Sequence, residues 1–349
     1  MQILDSSDNV DDGTRVTRVP VGPEALTDPD WVVPPVPQDV PEGTMAWLRA
    51  HVARFSSGDA HTRRRALAVG PLAGLDGGPL SDADADANVA ASADANANVD
   101  ANVDADGALR AAARVRAEEL LRASGTVEVM SRVARVVPAE VLAASLGLAV
   151  TAETAALVGD VARAYHAHGE TVPAADRALT RLVAVCGGTW DEATAARIGL
   201  LVQAHDATAG LIGNAAHLML VGDAGVPWAG RAAPPGPVPV EDSGTGRPVT
   251  DPVTDRLDQA LRTDPPVRGT LRAPVDGGEP VRISLVSPDG SLAFGAGAHA
   301  CPGRAQARAL AAGVLDALRA RGCRLAGPEI TYEPSANLRV PTKLEVTCG

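Results

Sequence analysis

A ten-residue glycine-rich loop with one cysteine constrains this chain more than any other segment. It reads FGAGAHACPG, from Phe294 to Gly303, and joins an alternating, strand-like segment to a long amphipathic one. The glycines allow backbone to lie against a flat ligand. A thiolate at Cys301 would be stabilised by the following helix and the loop amides, which also tune a bound metal. The plainer interpretation is a buried free cysteine beside a turn.

The rest of the pattern predicts a mainly α-helical chain with small β-sheets late in the sequence. Residues 1–44 are rich in proline and aspartate, so we expect an extended lead-in segment before a single domain over 45–349. Helical spacing begins near Thr44 and runs almost throughout 108–222, with one long helix from Asp191 to about Val221. Strand-like alternation follows, and an amphipathic helix comes directly after the cysteine loop.

Residues 81–107 form an acidic segment of low complexity, built from Asp, Asn, Ala and Val. This composition predicts disorder. The alternating Asp and Asn could be calcium ligands, but an EF-hand loop counted from Asp82 would need Gly at Ala87 and Glu at Ala93. We therefore favour a solvated acidic insert over a calcium site.

Charge and apolar content limit the partners. The 349 residues include 31 Lys+Arg against 43 Asp+Glu, a net charge of −12, which disfavours nucleic acid as the main partner. The amino terminus lacks the pattern of a signal peptide, and the apolar stretch 211–221 is shorter than the ~20 residues of a membrane span. These features predict a cytoplasmic protein with no membrane attachment.

In such a compartment the cysteines are expected to be thiols rather than a disulfide framework. They are few and widely spread: Cys186, Cys301, Cys323 and Cys348.

The cysteine loop resembles the FGxGxHxCxG haem-binding loop of the cytochrome P-450 family, and every fixed position matches. The resemblance implies the P-450 fold, with haem b between a long distal helix and the cysteine loop. Cys301 would be the axial iron ligand and His299 the partner of a haem propionate. Phe294 and Gly303 would also belong to the cofactor-binding loop.

A second match is LLVQAHDATAGLIGNA, residues 200–215, which is similar to the family's distal helix. The spacing of Ala204, Ala207 and Thr208 puts them on one helix face. Asp206 corresponds to the family's acid, although a solvated helix acid is the plainer interpretation. The usual threonine position, however, is Ala207.

Splitting dioxygen needs protons, and a threonine hydroxyl that holds water is the ordinary relay from the acid. Alanine cannot take that role. Three explanations stay open: Thr208 substitutes for the missing hydroxyl, the substrate offers its own, or the enzyme does not split dioxygen.

Two further segments resemble haem-propionate partners of the family. His61 and Arg65 lie four residues apart in HTRRR, so they share a helix face, although a basic surface helix is the plainer interpretation. Arg272, in DPPVRGTLRAPV, matches a propionate-binding arginine on a strand. A guanidinium suits a carboxylate through its planar, charge-assisted fork.

The chain also departs from the family pattern. Where an ExxR pair is expected, it has Gln259 and Arg262, and Asp258 is expected to compensate as a helical ion pair with Arg262. Only residues 288–293 separate the last strand from the cysteine loop, where family members usually carry a longer meander.

The resemblance implies a haem-thiolate enzyme that oxidises a small organic molecule in specialised metabolism. A ferredoxin and its reductase would supply electrons near Arg304 and Arg308. Because of Ala207, the alternative is chemistry without the oxygen relay: peroxide use, nitrene-type transfer, dehydration or rearrangement. A third hypothesis is a catalytically silent member that activates a partner enzyme.

Overall fold

The computed structural model describes residues 21–75, 103–122, 125–165, 172–222, 251–327 and 329–349. Within these ranges the chain is mainly helical with small antiparallel sheets, as the sequence predicts. Its α-helices are α1 (Met45–His51), α2 (Gly58–Leu75), α3 (Val103–Leu120), α4 (Val136–Ser145), α5 (Thr154–Tyr165), α6 (Pro173–Cys186), α7 (Glu192–Gly222), α8 (Pro252–Thr263) and α9 (Arg304–Ala320).

In the part of the chain that the structure describes, the strands form two three-stranded sheets. They are β1 (Trp31–Val32), β2 (Thr126–Glu128), β3 (Gly269–Pro274), β4 (Val281–Ser284), β5 (Arg324–Leu325) and β6 (Glu345–Thr347). The first sheet has the order β1-β3-β4 and the second has the order β2-β6-β5. The alternating segments of the sequence thus give β3 and β4, and Tyr332 and Pro341 form an isolated bridge outside the two sheets.

The long helix α7 lies at the centre of the fold and packs against α2, α4, α5, α6, α8 and α9. Two of its glycines let loops approach closely: a Cβ on Gly210 would lie 2.8 Å from Pro266, and one on Gly213 would lie 2.8 Å from Pro341. Next to Gly213, Asn214 donates from Nδ2 to the carbonyl oxygen of Asp264, the residue that follows α8, at 2.8 Å. The carboxyl-terminal half of α7 is therefore held by both loops.

Small residues also bring α3 and α9 together. A Cβ on Gly313 of α9 would collide with the Arg110 carbonyl oxygen and lie 2.8 Å from Ala113 Cβ. With only 2% aromatic residues, the core consists mainly of Ala, Val and Leu. Such side chains suit short distances between helix axes.

Residues 21–44 take part in the fold. A 3-10 turn at Pro23–Leu26 departs from the extended conformation expected there, and its Pro at the first position suits a helical turn. Leu26 packs with Ile283 and Leu285, and β1 pairs with β3. The lead-in thereby covers one face of the first sheet.

The acidic insert lies mostly outside the described residues. Its last residues, 103–107, belong to α3, which begins at Val103.

Two of the four cysteines are bonded, which corrects the expectation of four thiols. Cys323 and Cys348 form a disulfide, whereas Cys186 and Cys301 are free. The reason is the register of the second sheet: Arg324 faces Thr347, so the residues just outside this pair face each other. The two cysteines are 25 residues apart in sequence, and only the antiparallel pairing brings them together.

The expected pair between Asp258 and Arg262 is also wrong. Asp258 accepts from Arg308 of α9 at 2.7 Å, and Gln259 accepts from Arg256 at 2.8 Å. Arg262 is exposed. A partner on a neighbouring helix has displaced the local one.

In the ranges given above, no helix combines the length and the apolar character that a membrane span requires.

Candidate functional site

A cavity of about 410 Å³ lies between α7 and the cysteine loop. Ten of the eleven candidate site residues line it, and they come from α2, α7, β3 and the loop. These ten are His61, Arg65, Ala204, Ala207, Thr208, Arg272, Phe294, His299, Cys301 and Gly303. Segments more than 200 residues apart in sequence thus meet at one place, and Asp206 is the exception.

The cysteine loop folds back on itself before α9. Gly295 and Gly297 have φ values of 73° and 67°, in the left-handed region that favours glycine. A Cβ on Gly297 would collide with the Leu26 carbonyl oxygen. The Cys301 N–H then donates to the Phe294 carbonyl at 2.8 Å, which closes the loop. This geometry explains why glycine is needed at both positions.

The Cys301 thiol is accessible through the cavity although protein atoms crowd around it. Burial raises the pKa of this thiol, while the Gly303 N–H and the guanidinium groups of Arg65 and Arg54 act in the opposite direction. Without a ligand the thiol form is favoured. A metal on the sulfur would displace the proton, and the nearby cations and the amide would stabilise the thiolate.

His61 and His299 lie against each other on the cavity wall, with ring centroids 4.1 Å apart. Burial, His61 and three arginines lower the pKa of His299 to about 3, and burial followed by Arg65 and Arg272 lowers the pKa of His61. Both rings are therefore neutral near pH 7. His61 Nε2 is buried with no hydrogen-bond partner among the described residues, so the ring retains hydrogen-bonding capacity.

Two arginines predicted to bind propionates lie at this wall. Arg272 is 3% exposed and, among the described residues, donates only to Leu271 O at 2.9 Å and Thr270 Oγ1 at 3.3 Å. Arg65 has no hydrogen bond to another described residue, and burial lowers its pKa. No Asp or Glu side chain belongs to the described cavity lining. A buried cation without a counter-ion is costly, so this wall suits a ligand with carboxylates.

The face of α7 toward the cavity carries small residues, as the spacing predicts. Ala204, Ala207 and Thr208 all line it. Thr208 is 1% exposed, and its Oγ1 has no hydrogen-bond partner in the described parts of the chain. An unpaired buried hydroxyl is unusual and points to a partner supplied from outside the chain.

Asp206 lies off this face. Its carboxylate accepts from Arg135 Nε at 3.3 Å and lies 3.1 Å from His205 Nδ1, and Arg135 in turn pairs with Glu333 at 2.7 Å. Although burial acts to raise it, these partners lower the pKa of Asp206 to about 2. The acid is held ionised by its own ion pairs, away from the cavity lining.

The sequence analysis missed other residues of the cavity wall, above all Arg54 and Phe55 from the 3-10 turn Ala53–Phe55, and Leu26 from the lead-in. No motif or periodicity marks these positions. Arg54 lies three residues beyond the end of α1, and only the fold brings it near Cys301.

Arg304 and Arg308, which the sequence analysis placed at the docking site of a redox partner, already contact other side chains. Arg308 pairs with Asp258 at 2.7 Å, and the Arg304 guanidinium lies 5.3 Å from the Phe294 ring centroid.

Comparison with solved structures gives consistent matches across nearly the whole chain. One is cytochrome P-450 BioI in complex with an acyl carrier protein ligated to hexadec-9Z-enoic acid, with a TM-score of 0.63 and 17% identity over 94% of this chain and 90% of that chain. Another is ligand-free CYP164A2 of Mycobacterium smegmatis, with a TM-score of 0.58 and 21% identity over 93% and 88%.

A third is CxnD, the cytochrome P-450 enzyme for C–S bond formation in chuangxinmycin biosynthesis, with a TM-score of 0.58 and 14% identity over 93% and 85%. No family model matches the chain, and no curated protein matches it in sequence.

Proposed function

From the cytochrome P-450 fold that this chain shares with those structures, we propose that it is a haem-thiolate enzyme oxidising a small organic molecule in specialised metabolism. One observation carries the proposal: Cys301, His61, His299, Arg65 and Arg272 line a single cavity opposite the small-residue face of α7. Among the described residues, no group of three His, Cys, Asp or Glu could hold a metal ion. Iron at Cys301 would therefore come with a prosthetic group.

The residues of the cavity fit haem b. Cys301 would bind the iron, and the Gly303 N–H would stabilise the thiolate. Arg65 and Arg272 would bind the propionates, together with His61, whose Nε2 is free to hydrogen-bond, and His299. When bound, the haem supplies oxidising chemistry that thiolate donation to the iron promotes.

The test is the carbon monoxide difference spectrum of the reduced, haem-loaded protein. We expect a red-shifted Soret band of the thiolate type in the wild type, and its loss in Cys301→Ser. The matched control is Cys186→Ser, because Cys186 is the other free cysteine and is absent from the cavity lining. A thiolate spectrum that survives Cys301→Ser would contradict the assigned ligand, and no haem uptake would contradict the function.

Oxidation with dioxygen would need two electrons, and we propose a ferredoxin with its reductase as the source. In that reaction Thr208 would be the proton relay, since it carries a hydroxyl next to Ala207 on the cavity face. Thr208→Val should then raise the fraction of consumed dioxygen that is released as peroxide. Thr208→Ser keeps the hydroxyl at this position and serves as the control, with peroxide release expected near that of wild type.

A second candidate function keeps the haem but needs no proton relay: peroxide use, nitrene-type transfer, dehydration or rearrangement. The observation that favours it is the position of Asp206, whose carboxylate is held by Arg135 and lies off the cavity. Ala207→Thr, added to Thr208→Val, distinguishes the two candidates. Recovery of dioxygen-dependent turnover that Thr208→Val had lost supports the monooxygenase, and turnover that neither substitution changes supports the second candidate.

A silent member that only activates a partner enzyme accounts less well for the cavity. Unpaired guanidinium groups beside a thiol cost stability in the free chain, and a pure scaffold has no use for them.

A further inference from the structure

Three arginines, Arg54, Arg65 and Arg272, line the part of the cavity around Cys301. Each of them affects the pKa of a neighbouring group. All three lower the pKa of His299, and Arg54 also lowers the pKa of Arg272. The guanidinium groups are therefore close enough to repel one another. No carboxylate of the described cavity lining offsets this repulsion, so anions from outside the chain would relieve it.

The proposed cofactor does not neutralise all of them. A ferric porphyrin with one thiolate ligand carries no net charge, so only the two propionates of haem b offset cations at the wall. By resemblance these propionates belong to Arg65 and Arg272. The wall then keeps the positive charge of Arg54.

Apart from its effect on the Cys301 thiol, the charge of Arg54 meets no partner in the described parts of the chain. Arg54 is half-buried, has no hydrogen bond or ion pair there, and its guanidinium carbon lies 5.8 Å from the Phe55 ring centroid. It lies in the 3-10 turn Ala53–Phe55, which faces the same cavity as Ala204 and Ala207.

We propose that Arg54 binds an anionic group of the substrate, so that this enzyme acts on organic carboxylates or phosphate esters rather than neutral molecules. The inference rests on the proposed haem-thiolate function and names the substrate class. A charged hydrogen bond of this kind contributes about 1.5–3 kcal/mol, which corresponds to roughly 10- to 150-fold in affinity.

Calorimetric titration of the haem-loaded protein tests this proposal with pairs of compounds. The two compounds of a pair share a carbon skeleton, and one is anionic while the other is neutral. The probes are 4-phenylbutanoate against 4-phenylbutanamide, octanoate against octanamide, and phenyl phosphate against phenol. We expect an anion to bind at least about 10-fold more tightly than its neutral counterpart in wild type. Arg54→Gln should remove this preference, and Arg54→Lys should restore part of it.

Two controls locate the effect. Arg63→Gln removes an exposed arginine of α2 that pairs with Glu192 outside the cavity, and the anion preference should persist. Arg282→Gln removes the remaining arginine of the described cavity lining, which is exposed on β4. A preference lost in Arg282→Gln but kept in Arg54→Gln would overturn the assignment.

Arg54 could instead bind a haem propionate, and haem retention distinguishes this explanation from substrate binding. Transfer of haem to apomyoglobin should proceed at the wild-type rate in Arg54→Gln. Faster transfer with an unchanged anion preference would overturn the inference, as would a haem-loaded wild type with no anion preference in any pair. A wild type that takes up no haem would instead contradict the proposed function itself.

Discussion

The arginines outside the cavity, which form an outer shell, differ from the arginines that line the cavity. The difference is whether the chain supplies their counter-ion. Outside the cavity, Arg110 contacts both Asp251 and Asp316 at 2.6 Å, and Arg63 and Arg64 share Glu192 at 2.8 Å. Inside it, the guanidinium groups contact no carboxylate of the described residues.

This difference teaches that the same side chain serves two purposes. In the shell, the partners raise the pKa of Arg110 and hold α3 against α9 and the start of α8. In the cavity, burial lowers the pKa of Arg65 and Arg272. Paired cations stabilise the fold, whereas unpaired ones reduce its stability and prepare it for anions.

The largest effect should come from removing both propionate arginines. Arg65→Gln with Arg272→Gln should weaken haem binding by about 3–6 kcal/mol, since two charged hydrogen-bond partners are lost. The haem-free protein should be as stable as wild type or more stable. Haem transfer rates and thermal midpoints measure these two quantities.

The matched control is Arg63→Gln with Arg114→Gln, because both arginines are exposed and paired in the outer shell. It should leave haem transfer unchanged. Equal haem retention in the two double variants would remove the distinction between cavity and shell.

The next effect concerns a shell arginine. Arg110→Gln should destabilise the haem-free protein by about 2 kcal/mol, because Asp251 and Asp316 then lack their cation. Urea unfolding measures the change, and haem affinity should stay near that of wild type. A variant as stable as wild type would show that this pair does not hold α3 in place.

A smaller effect should appear in the pH dependence of the haem-free protein. The folded state lowers the pKa of His299 from 6.5 to about 3, so it favours the neutral ring. This stability is fully present above pH 6.5 and is lost as the pH falls toward 3, and about 2 kcal/mol should disappear between pH 6.5 and 4.5.

His299→Asn should remove that slope, because asparagine does not titrate. Glu192 and Asp206 do not obscure the measurement, since their pKa values are lowered to about 2 and they lose their charge only below this window. An unchanged slope in the variant would assign the acid sensitivity to another group.

The smallest effect should come from Arg63→Gln, because Arg63 is exposed, its pair with Glu192 is screened, and Arg64 still pairs with that carboxylate. The folded state lowers the pKa of Glu192, chiefly through Arg63, so this stability is present above pH 4.5 and lost as the pH falls toward 2. Urea midpoints at pH 7 and pH 3 should therefore differ less in the variant than in wild type.

The sequence predicted the parts of this site that lie in short motifs of neighbouring residues. The loop 294–303 and the pair His61 and Arg65 are patterns within ten residues, and both reach the cavity. Arg54 stands outside any pattern, because its position depends on the turn between α1 and α2.

Interactions between residues that lie far apart in the sequence were also not predicted. Asp258 pairs with Arg308 rather than with Arg262, and Cys323 bonds to Cys348 across two strands. Asp206 could have been placed better: it is two residues from both Ala204 and Thr208, a spacing at which helical side chains do not share a face.

The disulfide bears on how the cavity meets its ligand. It closes residues 323–348 into a covalent ring, and Ala336 and Asn337 of this ring line the cavity. A segment tethered at both ends samples fewer conformations than an open chain of the same length. Less entropy is then lost when a ligand orders that wall, so the ring preorganises one side of the pocket before binding.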